Sequence, residues 1–338
     1  MYKKDIGLAV LVITVGAIVT LVNPRFVSPI NLANTANLIG LFGLFSIAEA
    51  FVIVTAGIEL SIGSVIALLG VIFIDLIASH GVPWPVAFAI VLALSIVIGL
   101  LHGWLITQLK LQPFVVTLCG LLIYRGIARF YTKDGTAGFT FGTDLPMLEY
   151  IFVGRTSGVP HSVIAFAFFA VLAWFLLHRT VFGRHLLAVG KNEEAARYSG
   201  INTRRVIIMA YVLCMFLTAV SAVFFAMYTK SVQPSSHGNF YELYAIAAAV
   251  LGGFSLRGGE GSIVGVVLGV VLLQVLQNLV NLLGIPSSLN FAVMGTVILA
   301  GVIADTQFHA YRERRRQTAA KRAVTDMAIE TAEASHHT

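Results

Sequence analysis

The sequence predicts an all-α integral membrane protein of about ten transmembrane helices. Three observations carry that expectation. The chain is 58% hydrophobic and 11% charged, against roughly 45–50% apolar and about 25% charged in ordinary soluble domains. Apolar stretches of about 17–25 residues, the length that crosses a bilayer as a helix, recur from one end of its 338 residues to the other. Lysine and arginine collect in alternate connections between these stretches, as the positive-inside rule requires.

The apolar runs fall at 6–22, 38–57, 62–79, 86–107, 113–131, 162–180, 206–229, 243–256, 261–283 and 289–305. The first follows Lys3 and Lys4 as a secretion signal would. Asn23-Pro24-Arg25 follows it without a small-residue cleavage pattern, so it reads as a retained helix. Turn chemistry separates the later runs at Gly81-Val82-Pro83-Trp84-Pro85, Gln112-Pro113, Gly258-Gly259 and Pro286-Ser287-Ser288. The run 243–256 is short for a full span and rich in Ala and Gly, which makes it a tilted or re-entrant segment and leaves the count open by one or two.

With the N-terminus inside, sixteen of the 22 Lys and Arg lie in inner segments, among them Lys110, Arg179, Arg184, Lys191, Arg197, Arg204 and Arg205. Four lie outside: Arg25, Lys133, Arg155 and Lys230. Arg125 and Arg129 fall within a span, one turn apart near its outer end, where snorkelling carries them to the interface. The asymmetry predicts cytoplasmic N- and C-termini and a membrane domain over residues 1–306. A basic cytoplasmic tail over 307–338 follows, whose Arg312–Arg316 cluster suits anionic headgroups.

The net charge of +6 is spread along loops beside the spans, not gathered on a soluble domain with stacking aromatics, so nucleic acid is not an expected partner. Cys119 and Cys214 each lie inside an apolar run and read as small buried hydrophobes. No HExxH, GxSxG, CxxC, P-loop or GxGxxG pattern occurs, so neither catalysis nor a metal, nucleotide or other cofactor of its own is expected.

Polar residues inside spans are functional candidates by default. Gln274, Gln277, Asn278 and Asn281 stand at i, i+3, i+4 and i+7 and share one helical face. They form either a hydrogen-bonding wall for a hydroxyl-rich solute in the translocation path or an interhelical contact. Glu49 is a second candidate for the path: as an intramembrane carboxylate it leaves open an ion-coupled secondary transporter, or it is a buried hydrogen-bonding group. Gly261, Gly265 and Gly269 form a small-xxx-small packing ridge. Gly252, Gly253, Gly258 and Gly259 before it read as a tight turn with positive φ.

Between the sixth and seventh runs, Gly190 to Ile201 read GKNEEAARYSGI. Alone, a Glu-Ala-Ala triplet suits any solvated turn. Here Glu194, Ala195, Ala196 and Gly200 keep the EAA-x-x-x-G pattern of the coupling loop in bacterial ABC-transporter permeases, with Glu193 and Ile201 beside them in the expected ATPase-coupling set, inside a connection at 183–205 that the charge bias makes cytoplasmic. Thr55 to Ser64, TAGIELSIGS, carries Gly57, Glu59, Ser61, Gly63 and Ser64, and resembles the G-I-D-L-S-V-G-S signature of one branch. Leu251 to Ser262, LGGFSLRGGEGS, resembles that branch's Gly-rich segment, and Tyr124-Arg125-Gly126 fits a further position.

Together these segments resemble the permease subunits of bacterial ABC sugar importers of the ribose/xylose/galactoside class. Glu59 stands where that class usually has Asp, and the Leu-Pro ending of other permease classes is missing. The resemblance implies an ABC importer permease bundle in the bacterial inner membrane, moving a monosaccharide or similar polyhydroxylated solute by alternating access. It also implies a cytoplasmic ABC ATPase that meets a short helix at 193–200, a second permease subunit, and a periplasmic sugar-binding protein. The outer loop at 132–161, with Asp134, Asp144, Glu149, Lys133 and Arg155, is the expected dock for that receptor.

Overall fold

The computed structural model describes residues 2–139 and 145–286, with isolated positions at 289, 292, 293, 295, 296, 299 and 303. Most of the tenth run, the basic tail and Asp144 therefore lie outside the described residues. Every helix among the described residues belongs to one compact unit, residues 1–294.

The helices are α1 (Tyr2–Val22), α2 (Pro29–Ile53), α3 (Ile62–Ala78), α4 (Trp84–Gln108), α5 (Pro113–Tyr131), α6 (Pro146–Val153), α7 (His161–Arg179), α8 (Val181–Lys191), α9 (Glu193–Tyr198), α10 (Thr203–Thr229), α11 (Tyr241–Leu251) and α12 (Ile263–Leu282). Seven of them, α1, α2, α4, α5, α7, α10 and α12, are long and apolar enough to cross a membrane, while α3 and α11 are shorter. Proline opens α2 and α5 at their first helical position, where its missing N–H costs nothing. The Ser28 hydroxyl caps α2 by accepting from Asn31 N, which starts that helix nine residues before its apolar run.

The connections place α8 and α9 on one face of the bundle, here the coupling face, together with the α2–α3 and α4–α5 turns. The far face carries α6 and the two-residue pairing of Ala137 with Val232 and Gly138 with Ser231. α2 and α10 form the centre: α10 packs on α4, α2 and α3, and α2 packs on α7, α11 and α12. Gly40 to Ile53 of α2 and Leu217 to Met227 of α10 are buried on every side, as apolar helices in a bundle core should be. α1 stands at the periphery on α12, where Val15, Val19 and Phe26 meet Val271, Val275 and Leu279.

The short run at 243–256 is a broken span. α11 stops at Leu251 and, with eleven residues, rises only about 17 Å, roughly half of the hydrocarbon thickness. The other half is the non-helical segment 230–240, a two-residue strand at Ser231–Val232 followed by turns over 234–240. It starts on the far face, where Lys230 Nζ meets Glu149 Oε1 of α6 at 2.7 Å. It then dips until Gly238 lies backbone to backbone with Gly63, fifteen residues or about 22 Å from the far end of α3.

Arg125 holds this dipping segment. Its Nη1 donates to the carbonyls of Pro234 and His237 at 2.6 Å each, so it turns into the protein and does not snorkel to the interface. The cause is the turn backbone, whose Pro234 and His237 carbonyls face the protein side and need a donor there. Arg129 stays at the exposed end of α5, 2.5 Å from Asp134.

The glycine ridge of α12 packs on α11: a Cβ on Gly265 would lie 1.8 Å from the Gly252 carbonyl oxygen, and one on Gly269 would lie 2.3 Å from that of Ala248. Gly265→Leu is expected to cost at least the about 1–3 kcal/mol of an overpacked core, since the atom met is backbone. It should lower the thermal unfolding midpoint of the purified protein in detergent. Gly7→Leu, where a Cβ meets nothing within 4 Å, should leave that midpoint unchanged.

Candidate functional site

Helix α9 is short and its ends are closed by side chain and turn. Asn192 Oδ1 accepts from Ala195 N at 2.9 Å, and Glu193 and Glu194 in the first turn suit the positive end of the helix. At the other end Gly200 N bonds Arg197 O and Ile201 N bonds Ala196 O, the paired 5→2 and 6→1 bonds of a Schellman turn. Gly200 supplies its left-handed residue with φ +84°. Ala196 is buried, whereas Glu194, Ala195, Arg197 and Tyr198 face outward. All six residues of the predicted coupling set thus share one helix and its closing turn.

Two links tie this helix to the bundle. Thr203 Oγ1, in the first turn of α10, donates to Glu193 Oε1 at 3.1 Å, which joins α9 to the central helix. Behind it, Gly190 at the end of α8 presses on the α2–α3 turn: a Cβ there would lie 1.8 Å from the Val54 carbonyl oxygen. The same carbonyl accepts from Gly259 N at 2.8 Å, and Lys191 Nζ meets Glu260 Oε1 at 3.1 Å. The predicted signature segment, the coupling connection and the Gly-rich turn therefore meet around Val54. Gly253, Gly258 and Gly259 take the positive φ expected of that turn, whereas Gly252 is right-handed with φ −68° because it closes α11.

From Val54 the turn leads to a buried polar chain. Glu59 Oε1 accepts from Ser61 N at 2.8 Å and from Ser61 Oγ at 2.6 Å. Glu59 Oε2 lies 2.8 Å from His102 Nδ1 of α4. A carboxylate only accepts, so Nδ1 is the donor, and Nε2 meets the Tyr124 hydroxyl of α5 at 2.9 Å. Glu49 Oε1, on α2, accepts from Glu59 N at 3.1 Å. Thr117 Oγ1 donates to Ile58 O at 3.0 Å, and Ser64 Oγ to Ser61 O at 2.8 Å. Glu49, Glu59 and Ser61 are fully buried, and His102 is 1% exposed. Glu49 Oε2 and the Tyr211 hydroxyl have no partner among the described residues.

Below this chain a cleft of about 950 Å³ opens on the coupling face, bounded by Thr55, Gly57, Lys110, Arg197, Arg204 and Tyr211 among others. Its lining combines charged side chains, among them Glu193, Glu194 and Arg204, with apolar ones such as Ile106 and Ile207. It can admit a small polar solute, and it lies between α9 and the α4–α5 turn.

A family model described as branched-chain amino acid transport system / permease component matches residues 31–302. The chain belongs to this family. It is 36% identical over 305 residues to the ribose import permease protein RbsC of Escherichia coli (strain K12), covering 90% of this chain and 93% of that protein. It is 39% identical over 300 residues to RbsC of Bacillus subtilis (strain 168), covering 89% and 91%. To the galactose/methyl galactoside import permease protein MglC of E. coli (strain K12) it is 30% identical over 330 residues, covering 92% and 97%. No solved structure matches. The expected likeness to ribose and galactoside permeases holds along nearly the whole chain.

The amide stripe lies elsewhere in this permease bundle. Asn278 exchanges two hydrogen bonds with Asn31 of α2, at 3.0 and 2.9 Å. Gln274 is buried and Gln277 half-buried, with Oε1 of each unpartnered among the described residues, while Asn281 is exposed. Asn31 and Glu49 are eighteen residues apart on α2, about 27 Å, so the structure does not bring Glu49 and the stripe together. Sequence reasoning passed over His102, although it is the one ionisable residue of α4 and its depth alone was a signal.

His102→Ala leaves a Glu59 oxygen and the Tyr124 hydroxyl both buried without their partner, an expected loss of about 1–3 kcal/mol for each. Tyr124→Phe leaves only His102 Nε2 without its partner, a single loss of that size. Thermal unfolding of the purified variants should rank them in that order.

Proposed function

We propose that the chain is the permease subunit of an ATP-driven importer for a monosaccharide or similar polyhydroxylated solute. The observation that carries this reading is near-full-length similarity to ribose import permeases in a chain whose α9 offers an outward acidic and aromatic face. The sixteen-to-four charge bias supports a cytoplasmic coupling face and a bacterial inner-membrane location. On this reading residues 1–306 are the permease domain and 307–338 its cytoplasmic tail. A separate ABC ATPase seats on Glu194 and Tyr198, a second permease completes the passage, and a periplasmic receptor docks on the far face near α6.

Force applied to α9 has two routes inward. Through Glu193 and Thr203 it reaches α10, and through Gly190 and Val54 it reaches the turn that ends in Glu59. Both routes border the cleft, so nucleotide-driven movement of α9 changes its mouth. A carrier driven by an ion gradient gains no support from Glu49, whose one partnered oxygen bonds the backbone of Glu59.

The importer reconstituted in proteoliposomes with its ATPase and receptor tests the reading. Glu194→Ala combined with Gly200→Val should lower sugar uptake at least tenfold and uncouple ATP hydrolysis from transport, with the amount of inserted permease unchanged. Full uptake by the double variant would refute the coupling role. D-ribose is the first cargo to try. If the amide stripe touches solute, Gln277→Ala and Asn281→Ala should alter uptake of D-ribose, D-xylose and D-galactose unequally, whereas equal loss for all three marks it as packing.

A further inference from the structure

The non-helical half of the broken span is the part of the bundle that the coupling reading leaves unused. Its depth is fixed three times over. Gly238 meets Gly63, about 22 Å from the far end of α3. Tyr241, which follows it, stacks on Phe45 at 5.4 Å and packs on Phe42 at 5.1 Å, thirteen residues or about 20 Å along α2 from Pro29. Arg125, which binds the Pro234 and His237 carbonyls, is six residues or about 9 Å from the far end of α5. Residues 234–238 therefore lie well inside the membrane.

Non-helical backbone is tolerated there only where protein buries it or where it lines water. The segment has one side of each kind. Pro234 and Gly238 are buried, and the ring of His237 packs on Phe225 and Tyr241 at 6.1 and 6.4 Å. Gln233, Ser235, Ser236 and Asn239 are exposed on the other side. Two amides and two hydroxyls cannot face hydrocarbon without losing hydrogen bonds that nothing there replaces.

We infer that Gln233, Ser235, Ser236 and Asn239 line the solute passage near its midpoint and bind the hydroxyls of a polyhydroxylated cargo. The inference rests on the import reading and names where that cargo is recognised. The chemistry suits such a solute: each of the four groups both donates and accepts, and none carries a charge that would hold a neutral sugar too long. Bonds within the segment orient them. Asn239 Nδ2 donates to Ser235 O at 3.1 Å, which leaves Oδ1 to accept, and Ser236 Oγ lies 3.5 Å from Gln233 Oε1. The Arg125 clamp and the Phe42, Phe45, Phe225 and Tyr241 rings hold the segment in place. His237 Nε2, on the protein side, is buried without a partner among the described residues.

The test uses the complete importer in proteoliposomes, carrying Cys119→Ser to remove the exposed native thiol. Uptake of D-ribose, D-xylose and D-galactose by the unmodified importer comes first, and the fastest of the three becomes the probe. Ser235→Cys, Ser236→Cys and Asn239→Cys are then treated with a membrane-impermeant methanethiosulfonate, with Leu122→Cys, 65% exposed on the outside of α5, as the lipid-facing control. The three should react at least tenfold faster than the control, and the probe sugar should slow them at least threefold. Asn239→Ala should raise the KM for uptake about tenfold while kcat stays within twofold. Reactivity no higher than the control would place the segment in a dry contact with lipid or a second copy and overturn the inference, as would reactivity that sugar leaves unchanged. ATP-driven uptake of none of the sugars would remove the import reading and this site with it. Normal uptake with an unreactive segment would remove the site alone.

Discussion

The carbonyl of Val54 is the joint on which the bundle turns. One backbone oxygen accepts from Gly259 and is pressed by Gly190, so the α2–α3 turn, the end of α8 and the turn before α12 are fixed relative to one another at a single point. Contacts this close exclude side chains, which is why Gly190 stands where it does. They also leave little room for sliding, since packed backbone offers discrete arrangements and not a continuum. A displacement of α8 and α9 must therefore move the α2–α3 turn with it.

The opposite end of that turn is held by a different kind of force. Glu59 gathers Ser61, His102 and, through His102, Tyr124, so that α3, α4 and α5 are joined by polar bonds in the buried interior. In a low-dielectric interior such bonds are strong when complete and expensive when broken. The same logic governs Arg125, which turns inward because two carbonyls of the broken span need a donor. Among the described residues Glu49 Oε2 and the Tyr211 hydroxyl are the exceptions in the same region.

Much of this was legible in the residues. Apolar runs located nine of the helices because length and composition suffice for a span, and the EAA pattern located α9 because charge, capping and glycine coincide over a few positions. The limits are equally physical. α2 begins at Pro29 because Ser28 caps it, a local bond that outweighs the low hydropathy of its first turns. α11 is half a span because its partner segment is held by Arg125, more than a hundred residues away. The amide spacing on α12 was visible, but the partner Asn31 lies 247 residues distant, and pairing across that separation leaves no mark on either segment. His102 was overlooked since a lone histidine has no pattern, only a depth.

The peripheral stance of α1 bears on how the protein is made. Its partner α12 begins about 240 residues after α1 ends, which at ordinary synthesis speeds means a delay on the order of 10–50 s before the two can meet. For that interval the first helix must sit in lipid alone, and its apolar surface on every side makes that possible. The bundle can thus assemble around α2 and α10 from within, with α1 among the last helices to find its place.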